Sequence, residues 1–291
     1  MTTLPDPGLA IGRLSDLYRR NLAVLGPDDF VIANVGGSGQ SLIGNILFEA
    51  GLNYVDAYTE ELHEDGSAVA VDEHAAYRQH FSSLYAKDQS GEPASRWPRF
   101  LKTHHPPVIF DTATLGGVWL LVRDPRDTIY AAYRWRATFA EEEWDRVPAT
   151  FVEFLQGPGD FSSDPVADWR AFHTAWLERA GQYPHFDLLR FEDLKTRPQE
   201  AVSAALRGIG VEVDPDRMRQ AIEASSFTRM REHEDRVART QPDGADQPRM
   251  IRAGKIDGWR EWMTPELAPY FSGGELRTVA ARVGYDLSEP W

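Results

Sequence analysis

Short runs of apolar residues alternate along this chain with segments whose apolar positions recur at helical spacing. The first run is Phe30-Val31-Ile32-Ala33-Asn34-Val35, followed by Gly36-Gly37-Ser38-Gly39. Beyond the glycines, Leu42, Ile43, Ile46 and Leu47 share one helical face until Gly51. This predicts a strand, a tight turn and a helix. A second run, Arg99-Phe100-Leu101-Lys102-Thr103, ends at His104-His105-Pro106-Pro107. A third, Val118-Trp119-Leu120-Leu121-Val122, lacks any charged position and predicts a strand buried on both faces. After it, Asp124 suits an N-cap, Pro125 the first helical position and Asp127 the first turn, so a helix is expected from Pro125 to Phe139. The fourth run, Phe186 to Phe191, precedes a helix starting near Pro198. The alternation predicts an α/β protein with a central, mostly parallel sheet and helices on both faces.

Two stretches break the pattern. Glu60 to Glu73 is acidic and rich in small residues, and Arg239 to Pro248 holds prolines, glutamines and acids. Both read as insertions or mobile surface. The second, at 239–250, suits either a lid over a site or a plain connection.

A length of 291 residues with 42% apolar content suits one large domain or two small ones. No repeat divides the chain, so it reads as one domain across 1–291, with an N-terminal segment at 1–25. Met1 to Ala10 predicts no signal peptide, and no run of about 18 apolar residues predicts a membrane span. Cysteine is absent, which removes disulfides, thiolate metal sites and a cysteine nucleophile and suits a reducing compartment. The expected location is the cytoplasm. A net charge of −14 argues against nucleic-acid or anionic-membrane partners. An anionic ligand would therefore need a local cluster of Arg, Lys and backbone N–H groups.

Four segments supply candidates for such a cluster. A glycine turn opening a helix converges N–H groups on an anion, although many such turns carry glycine for steric reasons alone. The usual Walker lysine is missing, which disfavours a P-loop small-molecule kinase. Lys102 and His104, at i and i+2 on an extended end, point to one face. A cation beside a neutral imidazole suits transfer of an anionic group to a hydroxyl, and a surface turn before two prolines is the plain alternative. Arg123, between a buried strand and a helix N-terminus, suits a phosphate clamp or a pairing with nearby aspartates. Arg252-Ala253-Gly254-Lys255, shortly before Gly258-Trp259, is a late basic loop. No spacing suggests a metal site.

Taken in order, the glycine loop, Lys102-Thr103-His104, Arg123-Asp124-Pro125-Arg126-Asp127, Phe191-Glu192-Asp193 and Arg252-x-Gly254 resemble the cytosolic-type sulfotransferase family from Phe30 to Thr264. The resemblance implies a single P-loop-like, three-layer domain. It implies transfer of a sulfuryl group from PAPS to a small-molecule hydroxyl acceptor, leaving adenosine 3′,5′-bisphosphate (PAP), without a metal. By position, His104 would be the base and Lys102 a stabiliser of developing charge. Gly36, Gly37, Ser38, Gly39, Gln40 and Ser41 would hold the 5′-phosphosulfate. Arg123, Phe191, Arg252 and Gly254 would hold the rest of the nucleotide. Trp135, Tyr133, Phe139 and Trp144 are candidates for an acceptor pocket or for core. A homodimer is left open.

Three positions depart from the family pattern. Its loop lysine is Gly37 here, the serine eight residues after the clamp arginine is Ala131, and the lysine of the late loop is Ala253. Each charge-assisted bond lost is worth about 1.5–3 kcal/mol unless Lys102, Lys255 or Arg126 substitutes. Three readings follow: a sulfotransferase with a rearranged donor site, the same fold with an altered donor or sulfation-assisted cyclisation or elimination, and a non-catalytic nucleotide-binding protein.

Overall fold

Val31, Ile32 and Ala33 offer water no polar side chain, and all five residues of the strand that contains them are buried. The computed structural model describes residues 14–71, 93–138, 148–239, 251–252 and 254–288, with Gly8, Gly12 and Arg249 as single positions. Its strands are β1 (Asp29–Ala33), β2 (Asn53–Val55), β3 (Glu60–Leu62), β4 (Ala68–Ala70), β5 (Arg99–Thr103), β6 (Gly117–Val122) and β7 (His185–Arg190). Five of them form one sheet in the order β2-β5-β1-β6-β7, and every pairing in it is parallel.

Alternate residues of the central strands feed two cores. Val31, Ala33, Leu101, Val118, Leu120 and Val122 face one side. There they meet α1 (Asp16–Ala23), α3 (Pro125–Thr138), α4 (Phe151–Gln156), α5 (Pro165–Glu178) and α10 (Gly274–Arg282). Phe30, Ile32, Phe100, Trp119 and Leu121 face the other side. They pack on α2 (Gln40–Glu49), α6 (Phe191–Thr196), α7 (Pro198–Gly208) and α8 (Pro215–Ala224). A further helix, α9 (Phe227–Ala238), follows α8. The expected three-layer α/β architecture is the observed one.

At the amino edge of the sheet, Asp29 and Arg99 stand opposite each other in register and form an ion pair with no exposure of either side chain. Arg99 Nε donates to Asp29 Oδ1 at 2.7 Å and Nη2 to Oδ2 at 3.1 Å, while Nη1 donates to the His63 carbonyl at 2.9 Å. The pair joins β1 to β5 at the ends opposite the predicted site.

Boundaries moved little. β1 stops at Ala33 rather than Val35, where a turn closes through Ser38 N–H to the Val35 carbonyl. Phe191 begins a short helix instead of ending a strand. The larger correction concerns Glu60 to Glu73, expected as mobile surface. Residues 60–70 form the β3–β4 hairpin, because the buried Asn21 side chain replaces water as its partner. Asn21 Nδ2 donates to the Ala57 and Glu60 carbonyls at 2.9 and 2.8 Å, and its Oδ1 accepts from Leu62 N–H at 2.9 Å. The stretch 239–250, read as either a lid or a plain connection, falls almost wholly outside the described residues, as do Phe139, Trp144 and Ala253.

Candidate active site

Parallel strands place all their carboxyl ends at one edge, and a ligand on such a sheet sits where the strand order reverses. The chain leaves β1 for β2, returns to β5 beside β1, then crosses to β6 on the other side. The crevice thus opens after the three central strands, which end in the glycine loop, in Lys102-Thr103-His104 and in Arg123. A cleft of about 690 Å³ lies there. Its walls include Gly36, Gly37, Gly39, Gln40, Ser41, Lys102, His104, Arg123, Phe191, Arg252 and Gly254. Of the residues expected to act on the donor or the acceptor proton, Ser38 is the one not on the wall. It is buried, and its hydroxyl donates to the Val35 carbonyl at 2.7 Å, within the glycine turn.

The glycines are required by geometry. Gly37 and Gly39 have φ of 94° and 102°. Gly39 is the N-cap of α2, so the first N–H groups of that helix have no intrahelical acceptor and face the cleft entrance. A Cβ on Gly39 would lie 2.6 Å from the Phe191 ring, and one on Gly37 would lie 2.8 Å from the Ala131 Cβ and 2.9 Å from the Thr128 carbonyl oxygen. The Gln40 side chain turns inward to Asn34 and donates to Tyr54 Oη at 2.9 Å, leaving its backbone N–H for a ligand.

His104 is held as a neutral imidazole. Its Nδ1 lies 3.0 Å from the Asn34 carbonyl, which can only accept, so Nδ1 carries the proton and Nε2 keeps its lone pair. Burial, and then the Lys102 ammonium, push its pKa down to about 4, so the imidazole is neutral at pH 7. His104 N–H donates to Tyr58 Oη at 2.8 Å, and the two rings stack with centroids 6.0 Å apart. Lys102 Nζ reaches Asp56 Oδ2 at 3.1 Å, with both side chains 8% exposed, and lies 5.3 Å from the Tyr58 ring centre. Asp56 and Tyr58 went unnoticed in the sequence because the three-residue β2 before them carries too short a pattern.

The local positive cluster demanded by the −14 charge is present: Arg123, Arg134, Lys195, Arg252 and Lys255 all line the cleft. Arg123 ties loops together, donating from Nη1 to the Gly37 carbonyl and from Nη2 to the Lys255 carbonyl, each at 2.9 Å. It also lies 4.4 Å from the Phe191 ring centre. Asp127, 3.5 Å from Arg123, is pushed up to about 6 by burial, against the pull of that guanidinium. Burial, and then Arg123, lower the Lys195 pKa. Arg126 does not substitute for a lost cation. It is buried, bonded to both Asp124 oxygens, and stacked 3.6 Å from the Trp259 ring centre.

Apolar walls complete the cleft. Phe227 and Met230 come from α9, while Tyr130, Trp135, Phe154, Phe161 and Phe172 come from the α3–α5 side. Of the aromatics left open between pocket and core, Trp135 lines the cleft, whereas Tyr133 is half-buried and packs on Phe151 and Phe154.

The arrangement is a cleft at the carboxyl edge of a parallel α/β sheet, lined by a glycine loop, a helix N-terminus and several cations, with a neutral imidazole beside a lysine. The chain belongs to the sulfotransferase domain family, whose sequence model matches residues 27–273. Rat sulfotransferase 2A2 is 26% identical over 140 residues, and the chain spans about half the length of this curated relative, 47% of each. Among solved structures, mouse sulfotransferase SULT7A1 complexed with PAP shares the fold with a TM-score of 0.57 at 16% identity, covering 92% of this chain and 90% of that one. A retinol dehydratase crystallised with retinol and PAP gives 0.56 at 18% identity, covering 97% and 87%.

Gly37 and Ala131, two of the positions that depart from the expected pattern, are neighbours in space. Gly37→Lys is expected to lower the melting temperature by several degrees, since a side chain at φ 94° against the Thr128 carbonyl is strained by about 1–3 kcal/mol. It is expected to bring no gain in nucleotide affinity. Thermal denaturation and calorimetric titration with PAP check both, and a tighter-binding, equally stable variant would refute the account.

Proposed function

We propose that this protein transfers a sulfuryl group from PAPS to a hydroxyl of a small-molecule acceptor. The observation that carries the reading is His104, its Nδ1 committed to the Asn34 carbonyl and its Nε2 left basic, on the same cleft as the α2 N-terminus and Lys102. The residues present suit the nucleotide. Arg123 Nε and Arg252 Nη1 are buried guanidinium N–H groups with no acceptor among the described residues, as a phosphate binder would leave them. The N–H groups of Gly39, Gln40 and Ser41 would hold the 5′-phosphosulfate, and Phe191 and Phe227 the base.

The donor supplies the activated sulfuryl group; the protein supplies position and charge. His104 Nε2 would take the acceptor proton as the acceptor oxygen bonds to sulfur and the bond from sulfur to the donor's bridging phosphate oxygen breaks, PAP being the leaving group, and Lys102 would steady the negative charge that develops on that oxygen. The aromatic wall from α3 to α5 excludes water and orients the acceptor.

Calorimetric titration with PAP, beside AMP as control, tests the donor site. Micromolar PAP binding, at least tenfold tighter than AMP, is expected from a 3′-phosphate meeting Arg123 and Arg252. No binding at millimolar PAP would refute PAPS as donor.

A further inference from the structure

We infer that Asp56 is a positioning residue that holds Lys102 back from the donor site until an anion replaces it. The inference rests on the proposed nucleotide site. With Gly37 in place of the family's lysine, Lys102 is the cation carried on the same strand end as His104, and its ammonium already faces a buried carboxylate at 3.1 Å. Asp56 is itself fixed. Its N–H donates to Glu60 Oε2 at 2.7 Å, its Oδ1 accepts from Tyr58 N–H at 3.1 Å, and the turn it belongs to is gripped by Asn21 through the Ala57 and Glu60 carbonyls. The same turn presents Tyr58, which accepts from His104 N–H and lies against Lys102. One anchored segment, Asp56 to Tyr58, thereby sets both the lysine and the backbone of the base.

The consequence is a competition. Lys102 lines the cleft, so an anionic group bound beside it would compete with Asp56 for its ammonium. Ground-state binding is weakened by the loss of that ion pair, and a lysine restrained in this way is freed for the charge that develops during transfer. Asp56 also keeps the ammonium from closing on the product phosphate.

Asp56→Asn separates this role from simple support, because the amide keeps the shape and removes the charge. Calorimetry with PAP is expected to show binding about tenfold tighter than wild type, with saturated turnover reduced. A residue needed only for packing would give weaker binding. Lys102→Met provides the second arm: adding Asp56→Asn to it should leave PAP affinity unchanged within twofold, since the lysine through which the carboxylate acts is gone. Wild-type binding of PAP with no tightening in Asp56→Asn would overturn this inference alone. Tightening that persists without Lys102 would also overturn it, and failure of the wild type to bind PAP would remove it together with the nucleotide site.

Discussion

His104→Ala is expected to reduce turnover by about 10²–10⁴-fold, the contribution of a positioned general base, while leaving PAP affinity within about twofold. The split follows from geometry. Nε2 is the basic nitrogen proposed to take the acceptor proton, and the N–H groups and arginines proposed for the phosphates lie elsewhere on the wall. The pH profile adds an independent reading. Burial, and then Lys102, hold the His104 pKa near 4 rather than its ordinary 6.5. The base is therefore unprotonated throughout the neutral range, and the acid limb of kcat/KM should fall near pH 4, not near 6.5. The same shift makes stability depend on pH with a definite sign. The unfolded chain takes up this proton first, so the contribution is complete above about 6.5 and is lost as pH falls toward 4. Rapid-quench measurement of sulfuryl transfer and calorimetry on the same preparation check the split. Unchanged turnover would remove His104 from the mechanism.

Asp29→Ala is expected to cost about 3–5 kcal/mol of folding stability, because it strands the Arg99 guanidinium without its countercharge inside the sheet. Neither side chain of the pair has any exposure, and Asp29 Oδ2 also accepts from Gly26 N–H at 2.8 Å. The midpoint of urea denaturation should fall with little change in slope. The pair lies at the amino ends of β1 and β5, so folded Asp29→Ala at low temperature should retain the wild-type PAP affinity. Replacing both partners together, as Asp29→Leu with Arg99→Met, should recover most of the loss, since apolar residues need no countercharge. A cost below about 1 kcal/mol for the single variant would show that water reaches the arginine.

The chemistry at the strand ends was legible in the sequence for a local reason. β5 is a short run ended by His104-His105-Pro106 and β6 is a continuous apolar run, so Lys102, His104 and Arg123 could be placed at the carboxyl edge without coordinates. The glycine turn was legible because Gly37 and Gly39 mark backbone that other residues resist. Asp56 was not, although it pairs with Lys102, because its partner lies 46 positions away and the strand just before it is three residues long. Arg126 shows the reverse error. It stands in the right motif, but the depth of α3 turns it onto Trp259 and Asp124.

By itself, the sequence determined the alternation of strands and helices and the edge that carries Lys102, His104 and Arg123, all properties of periodicity and near neighbours, while the roles proposed for those three residues come from the resemblance to the sulfotransferase family. Tertiary structure alone decided that Gly37 meets Ala131, that Arg123 ties two loops, that an asparagine orders the acidic hairpin, and that a distant aspartate holds Lys102. Each of these is a contact between segments far apart in the chain, whose strength comes from burial, and burial is set only when the whole sheet and its helices have closed around it.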